Sequence, residues 1–225
     1  MTSTQPHIPA RPSYVEYVKH VAGALARHPE AVGSIGTVFR HDPALGVDAP
    51  WWNRRAVAYL DSQLRAGQRV LEWGSGGSTA WLVARGARVT SVEHDPGWAG
   101  QVKARCPDAD VRAVLAAAAG TTAEPCHFND LLNQQERFFD DYIAVASEFP
   151  DRSLDVVIVD GMCRAECFRR AAPKVRPGGL LIIDDSDMPP YRRISDLVPG
   201  WEKTAFAGFK ASKDLRQTSF FRRPQ

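Results

Sequence analysis

The segment VLEWGSGGSTAWL, residues 70–82, constrains the fold of this chain more than any other. An apolar run of strand type stops at Gly74, Gly76 and Gly77, and a helical pattern opens at once behind them, with Ser78 and Thr79 as candidate N-caps. Glycine has no Cβ, so a turn built from it can take left-handed backbone angles and let a ligand lie against the main chain. The free N–H groups of the helix start then favour a carboxylate or a phosphate. A dinucleotide fingerprint would place a third glycine where Thr79 stands, so a nicotinamide cofactor is disfavoured.

A strand leading through glycine into a helix belongs to an α/β chain, and the rest of the sequence agrees. Compact runs rich in Val and Ile predict strands near 69–73, 88–93, 111–115, 154–160 and 179–184. Helical patterns fall between them at about 77–85, 96–104, 128–147, 164–175 and 191–198. The segments 201–209 and 217–222 are β-prone with a turn between them, which predicts a closing hairpin. Right-handed crossovers place helices on both faces. The fold expected is therefore a three-layer α/β sandwich with a seven-stranded, mostly parallel sheet that ends in an antiparallel hairpin, and its ligand crevice lies at the carboxyl ends of the strands. Before it, helical patterns at 14–27 and 51–64 among Pro and Gly punctuation read as an N-terminal helical cap over residues 1–60, ahead of a main domain at 61–225.

Composition bounds the partners. At 225 residues and 44% hydrophobic content the chain can bury one sizeable core, and its charges nearly cancel at a formal +2. That balance gives no field suited to nucleic acid or an anionic membrane, and points to a small-molecule acceptor. The N-terminus has no apolar run of the length a signal sequence requires, and no stretch approaches a membrane span, which leads to a cytoplasmic expectation. Cys106, Cys126, Cys163 and Cys167 lack paired metal spacing and read as reduced packing residues. Oligomeric state stays open, a homodimer included.

The second strand ends in SVEHD, with Glu93 roughly 20 residues beyond the glycine turn, where an acid can accept both hydroxyls of a ribose. Two further acid-tipped strands follow: VVIVDG, ending in Asp160, and IIDDSD, carrying Asp184, Asp185 and Asp187. EWGSGGS, SVEHD, VVIVDG and GGLLIIDDSD together, in this order, resemble the motifs of class I S-adenosylmethionine-dependent methyltransferases, a family with a Rossmann-like fold, from about residue 69 to the closing hairpin. The resemblance implies that the glycine loop cradles the methionine part of S-adenosyl-L-methionine and that the acid after the second strand binds its ribose, assigning Gly74, Ser75, Gly76 and Glu93. Glu72 and Ser78 at the ends of the loop, and His94 beside the ribose acid, complete the candidate cofactor set. DVRAVLAAAAG offers only apolar residues where many members carry a polar adenine contact, so the adenine contact is unassigned.

Clustered carboxylates repel unless a cation sits among them, and Mg²⁺ is a common answer. The acid set resembles that of magnesium-dependent small-molecule O-methyltransferases of the catechol and macrolide-sugar kinds, which makes Asp160, Asp184 and Asp185 candidate metal ligands. Such a metal would align an acceptor hydroxyl for attack on the methyl group. Strand-tip acids also cap helices in metal-free relatives, and Arg164, standing where the catechol type has its lysine region, is an alternative neutralising cation. The catalytic candidates are Asp160, Arg164 and His127, a base in the long connection after the third strand. Trp51, Trp52, Trp98 and Tyr142 are candidate aromatic walls, for which ordinary packing is the competing reading. Met188-Pro189-Pro190-Tyr191 is similar to the box of nucleic-acid amino-methyltransferases but follows the fifth strand instead of the fourth. The rival functions are a metal-free O- or N-methyltransferase, a nicotinamide-dependent oxidoreductase and a non-catalytic adenosyl-binding module.

Overall fold

A computed structural model describes residues 14–33, 48–123, 137–210 and 214–225. Seven strands form one sheet in the order β3-β2-β1-β4-β5-β7-β6. They are β1 (Arg69–Trp73), β2 (Arg88–Glu93), β3 (Asp110–Ala113), β4 (Leu154–Val159), β5 (Val175–Ile183), β6 (Glu202–Phe209) and β7 (Leu215–Arg222). The first five run parallel, while β7 is antiparallel to both β5 and β6, as the sequence predicts.

Strand periodicity of two divides the core cleanly. On β1, β4 and β5 the residues Leu71, Trp73, Val157, Val159, Leu181 and Ile183 face one side. There they pack with Phe139, Tyr142 and Ile143 around α5 (Asp140–Ala144) and with Cys167 and Phe168 of α6 (Arg164–Ala171). Their neighbours Val70, Val156, Ile158, Leu180 and Ile182 face the other side, against α2 (Arg54–Gln63), α3 (Gly77–Ala84) and α4 (Pro96–Arg105). Because both faces are covered, the central strands read as unbroken apolar runs. Within the stretches 70–73, 156–159 and 180–183 one polar residue interrupts them, Glu72, which stands on the second face under the start of α3.

The N-terminal segment divides between two places. In α1 (Tyr14–Arg27), Val21 and Leu25 pack with Ala31 on Ala207, Phe209 and Leu215 of the hairpin. By contrast, α2 crosses the expected boundary at residue 60 and buries Ala56 and Leu60 in the sheet-face core, capped by Asn53, whose side chain accepts from Ala56 N. Two other expectations are corrected. The helix foreseen at 191–198 is a pair of short 3₁₀ turns, Pro189–Tyr191 and Ile194–Leu197, and Pro199 pushes Val198 before it out of the helical region and stops the segment. The Pro-Pro-Tyr box belongs to that turn and buries Tyr191 in the core. The helix foreseen at 128–147 is described from residue 137 and is helical over Asp140–Ala144, followed by a 3₁₀ turn. Among the described residues no helix is long and apolar enough to cross a membrane.

Candidate active site

Sheet register places the functional residues. Trp73 pairs with Val159 and Val159 with Ile183, so the next residues, Gly74, Asp160 and Asp184, stand side by side at three adjacent strand tips. Backbone bonds from Asp160 N to Trp73 O (2.9 Å) and from Asp184 N to Val159 O (3.1 Å) lock that row. Gly74 sits at φ +90°, and a Cβ there would lie 2.9 Å from Asp160 C, Asp160 O and Gly161 N. The glycine is thus required twice over, by its angle and by the close approach of β1 and β4. The sheet order reverses between β1 and β4, and the cleft opens there, with a volume of about 690 Å³.

One half of the cleft is built by the glycine loop and the β2 tip. Gly74, Ser75, Gly76 and Ser78 line it, as do Glu93, His94 and Trp98. Glu93 is 4% exposed, and its carboxylate accepts from Ser75 N (3.1 Å) and Oγ (3.3 Å) and from His94 N (2.9 Å) and Asp95 N (3.1 Å). Trp98 Nε1 donates to Ser75 O at 2.7 Å, fixing the loop from the α4 side. His94 Nδ1 lies 2.8 Å from Glu93 Oε1 without hydrogen-bond alignment, and its ring meets Phe139 and Tyr142 edge-on.

Glu72 is not part of the cleft wall. It is fully buried behind the loop, where Thr79 Oγ1 (2.6 Å) and Ser91 Oγ (2.7 Å) donate to its Oε2. Burial pushes its pKa up to about 7, only partly offset by the neighbouring hydroxyls. Thr79 also accepts from Gly76 N at 3.0 Å. Ser78 and Thr79 are therefore inside the first turn of α3, whose N-cap is Gly76. The threonine takes the third glycine's place because its hydroxyl ties the loop to Glu72.

The other half of the cleft carries charge. Asp160, whose side chain is 21% exposed, has Oδ2 bonded by Trp52 Nε1 at 2.9 Å and Oδ1 at 3.2 Å from Arg164 Nη1. Arg164 continues to Asp185 Oδ2 (3.1 Å), Asp184 O (2.9 Å) and Gly161 O (2.9 Å). Lys210 enters from the end of β6: its Nζ donates to Asp184 Oδ2 and, at 2.8 Å, to Asp185 Oδ1. Thr218 Oγ1 donates to Asp184 Oδ1 at 2.7 Å. Burial alone would lower the pKa of Arg164 and Lys210, but Asp160, Asp184 and Asp185 outweigh it and hold both above their ordinary values. Asp185 is lowered, since Lys210 and Arg164 overcome its burial, whereas burial pushes Asp184 up to about 8. Cys163 (φ +48°) and Asp185 (φ +52°) are left-handed without being glycine, and these bent strand tips aim Arg164 and the Asp185 carboxylate at each other.

The expected acids thus do converge: Asp160, Asp184 and Asp185 offer oxygens within 4.8 Å of one another. The positive charge among them is supplied by Lys210 and Arg164, so the residues present do not fit a divalent ion as they stand. Asp187 lies apart, accepting from Gln217 N at 2.8 Å. Of the other sequence candidates, Trp51 lines the cleft, Trp52 orients Asp160, and Tyr142 is a core residue whose hydroxyl would meet a Cβ at Gly161. Cys163 and Cys167 are buried in the core; His127 and Cys126 lie outside the described residues. Lys210 and the Trp52 contact escaped sequence reading. One signal was available for the lysine: a hairpin whose second strand runs antiparallel to β5 must carry its turn over the carboxyl edge of the sheet.

Comparison with known proteins identifies the family. The sequence matches the family described as a methyltransferase domain over residues 71–186, more than half of the chain. The chain belongs to that family. The match spans the glycine loop, Glu93, Asp160 and the β5 acids, and the class I S-adenosylmethionine-dependent methyltransferase expected from the sequence is borne out, leaving no place for the nicotinamide reading. Among solved structures, a methyltransferase-like protein from Silicibacter pomeroyi is similar at 25% identity with a TM-score of 0.51, covering 83% of this chain and 91% of that one. An O-methyltransferase from Bacillus cereus, in complex with SAH, is 15% identical with a TM-score of 0.54, covering 94% and 92%, and so shares the fold. No curated protein matches the sequence.

Proposed function

We propose that this methyltransferase acts on a hydroxyl of a small-molecule acceptor, without a metal, with Asp160 at the reacting end of the cleft. The observation that carries the reading is the shared row of strand tips: the loop at Gly74 and the carboxylate of Asp160 are held together by one register and open into one cleft. Its volume suits a cofactor with a small acceptor beside it.

The donor set suits an adenosyl cofactor. The N–H groups at the start of α3 suit a methionine carboxylate, and Glu93, whose four donors fill its lone-pair sites, can accept from a ribose hydroxyl in place of Ser75 Oγ, the longest of the four at 3.3 Å. When bound, S-adenosylmethionine supplies an electrophilic methyl whose bond to sulfur breaks, the pair returning to the former sulfonium, as the acceptor oxygen bonds the carbon. The protein's part is mainly alignment. Trp52 and Arg164 fix both oxygens of Asp160, which keeps the remaining lone pairs toward the cleft, where a carboxylate can orient an acceptor O–H and take its proton. Trp51 adds an aromatic wall to the cleft.

Asp160→Asn is the direct test. The amide keeps the shape but cannot accept a proton, so turnover is expected to be lost while cofactor binding by calorimetry is retained. Unchanged turnover would remove Asp160 from the chemistry.

A further inference from the structure

We propose that Lys210 is the resident cation of the strand-tip acids: its ammonium stands where a divalent metal would sit between Asp184 and Asp185, and it makes this cleft independent of metal. The proposal concerns occupancy of the acid cluster, and it goes beyond the methyl-transfer reading without needing an identified acceptor.

Lysine is rarely buried unless paired, because stripping water from an ammonium is costly. Lys210 has a side chain only 10% exposed, yet its Nζ reaches one oxygen of each of two adjacent carboxylates. The acids need the lysine equally: Asp184 is fully buried and Asp185 nearly so, on neighbouring positions of one strand tip. The pairing is prepared from both sides. Lys210 N donates to Asp214 O at 2.9 Å, which fixes the end of β6, and Thr218 of β7 holds the other oxygen of Asp184. The left-handed backbone at Asp185 turns one of its oxygens to Lys210 and the other to Arg164.

A hard cation would need the same oxygens. Mg²⁺ and Mn²⁺ bind carboxylate oxygens at about 2.1 Å in near-octahedral geometry, and Lys210 Nζ already fills the space between those of Asp184 and Asp185. Two positive groups, Lys210 and Arg164, would also repel the incoming ion. A hairpin residue thereby takes over the charge compensation that a soluble metal would provide. The β6–β7 hairpin becomes part of the acceptor end of the cleft, which Lys210 lines together with Asp214 and Arg216.

The test uses Mn²⁺ binding by the full chain, read by electron paramagnetic resonance and so independent of turnover. The wild type is expected to take up no Mn²⁺ at the cluster. Lys210→Ala empties the space between the acids and is expected to gain one Mn²⁺ site, which Asp185→Asn in the same background abolishes. A folded K210A that binds no more Mn²⁺ than the wild type overturns the proposal. If K210A does not fold, the wild type decides: uptake that D185N abolishes overturns the proposal, and absence of uptake supports it. Because no methyl transfer is measured, either outcome leaves the Asp160 test standing on its own.

Discussion

Replacing Gly74 by alanine puts the strand-tip arrangement to its sharpest test. The residue sits at φ +90°, where a side chain costs roughly 1–3 kcal/mol in backbone strain. The new Cβ would also stand 2.9 Å from three backbone atoms of Asp160 and Gly161, which cannot rotate away as a side chain could. Overpacking of this kind adds about 1–3 kcal/mol. Together G74A should lose on the order of 2–6 kcal/mol of stability, or relieve part of that by forcing the β1 and β4 tips apart. Separation would carry Asp160 away from the glycine loop, so cofactor affinity and turnover should fall together. Chemical denaturation gives the first quantity and calorimetric titration with S-adenosylhomocysteine the second. Gly100→Ala supplies the control: it lies in α4 with nothing within 4 Å of its added Cβ, and should gain roughly 0.5–1 kcal/mol from helix propensity. A G74A protein as stable as G100A, with full affinity, would refute the claim that the β1–β4 contact sets the site.

Three further outcomes are expected. Trp52→Phe keeps a ring against Phe220 but removes the indole donor to Asp160; a hydrogen bond to a charged group is worth roughly 1.5–3 kcal/mol, so kcat should fall about 10- to 100-fold with cofactor affinity unchanged. Equal kcat would reduce Trp52 to packing. Glu72 is fully buried with its pKa raised from 4.5 to about 7, so the folded state binds its proton more tightly and stability falls as pH rises through that window, by about 3 kcal/mol. Glu72→Gln removes this component, and urea denaturation at pH 4.5 and pH 8 should show a smaller loss than in the wild type; identical pH slopes would contradict a neutral, buried Glu72. Asp184→Asn keeps the shape but takes from Lys210 one of its two carboxylate partners, so stability at neutral pH should fall by roughly 1–3 kcal/mol; an unchanged denaturation midpoint would contradict the ion pair.

The fold was legible because both signals that specify it are local. Unbroken Val and Ile runs identify strands covered on both faces, and glycine beside a helix start marks the turn after β1. Element ends depended on contacts that a periodicity does not contain, as in the segment 189–198, where two short 3₁₀ turns stand in place of one helix. At the site, the acids could be placed because each ends an apolar strand and neighbouring parallel tips must meet. What lay among them could not: Lys210 stands in a turn, where a lysine reads as solvated surface, and its role follows from the antiparallel return of β7 beside β5. Trp52 is similar, more than a hundred residues from the Asp160 that it orients. The place of Glu72 beside the loop suggests a cofactor residue, but strand alternation turns it under α3, where it supports the loop through Thr79.

The central claim is that the loop from Gly74 to Ser78 and the carboxylate of Glu93 form an adenosyl seat. Calorimetric titration of S-adenosylhomocysteine into the wild type and Glu93→Ala measures it directly. One equivalent bound by the wild type, with clearly weaker binding in E93A, is the predicted result; no uptake by the folded wild type, or equal affinity in both, would contradict it.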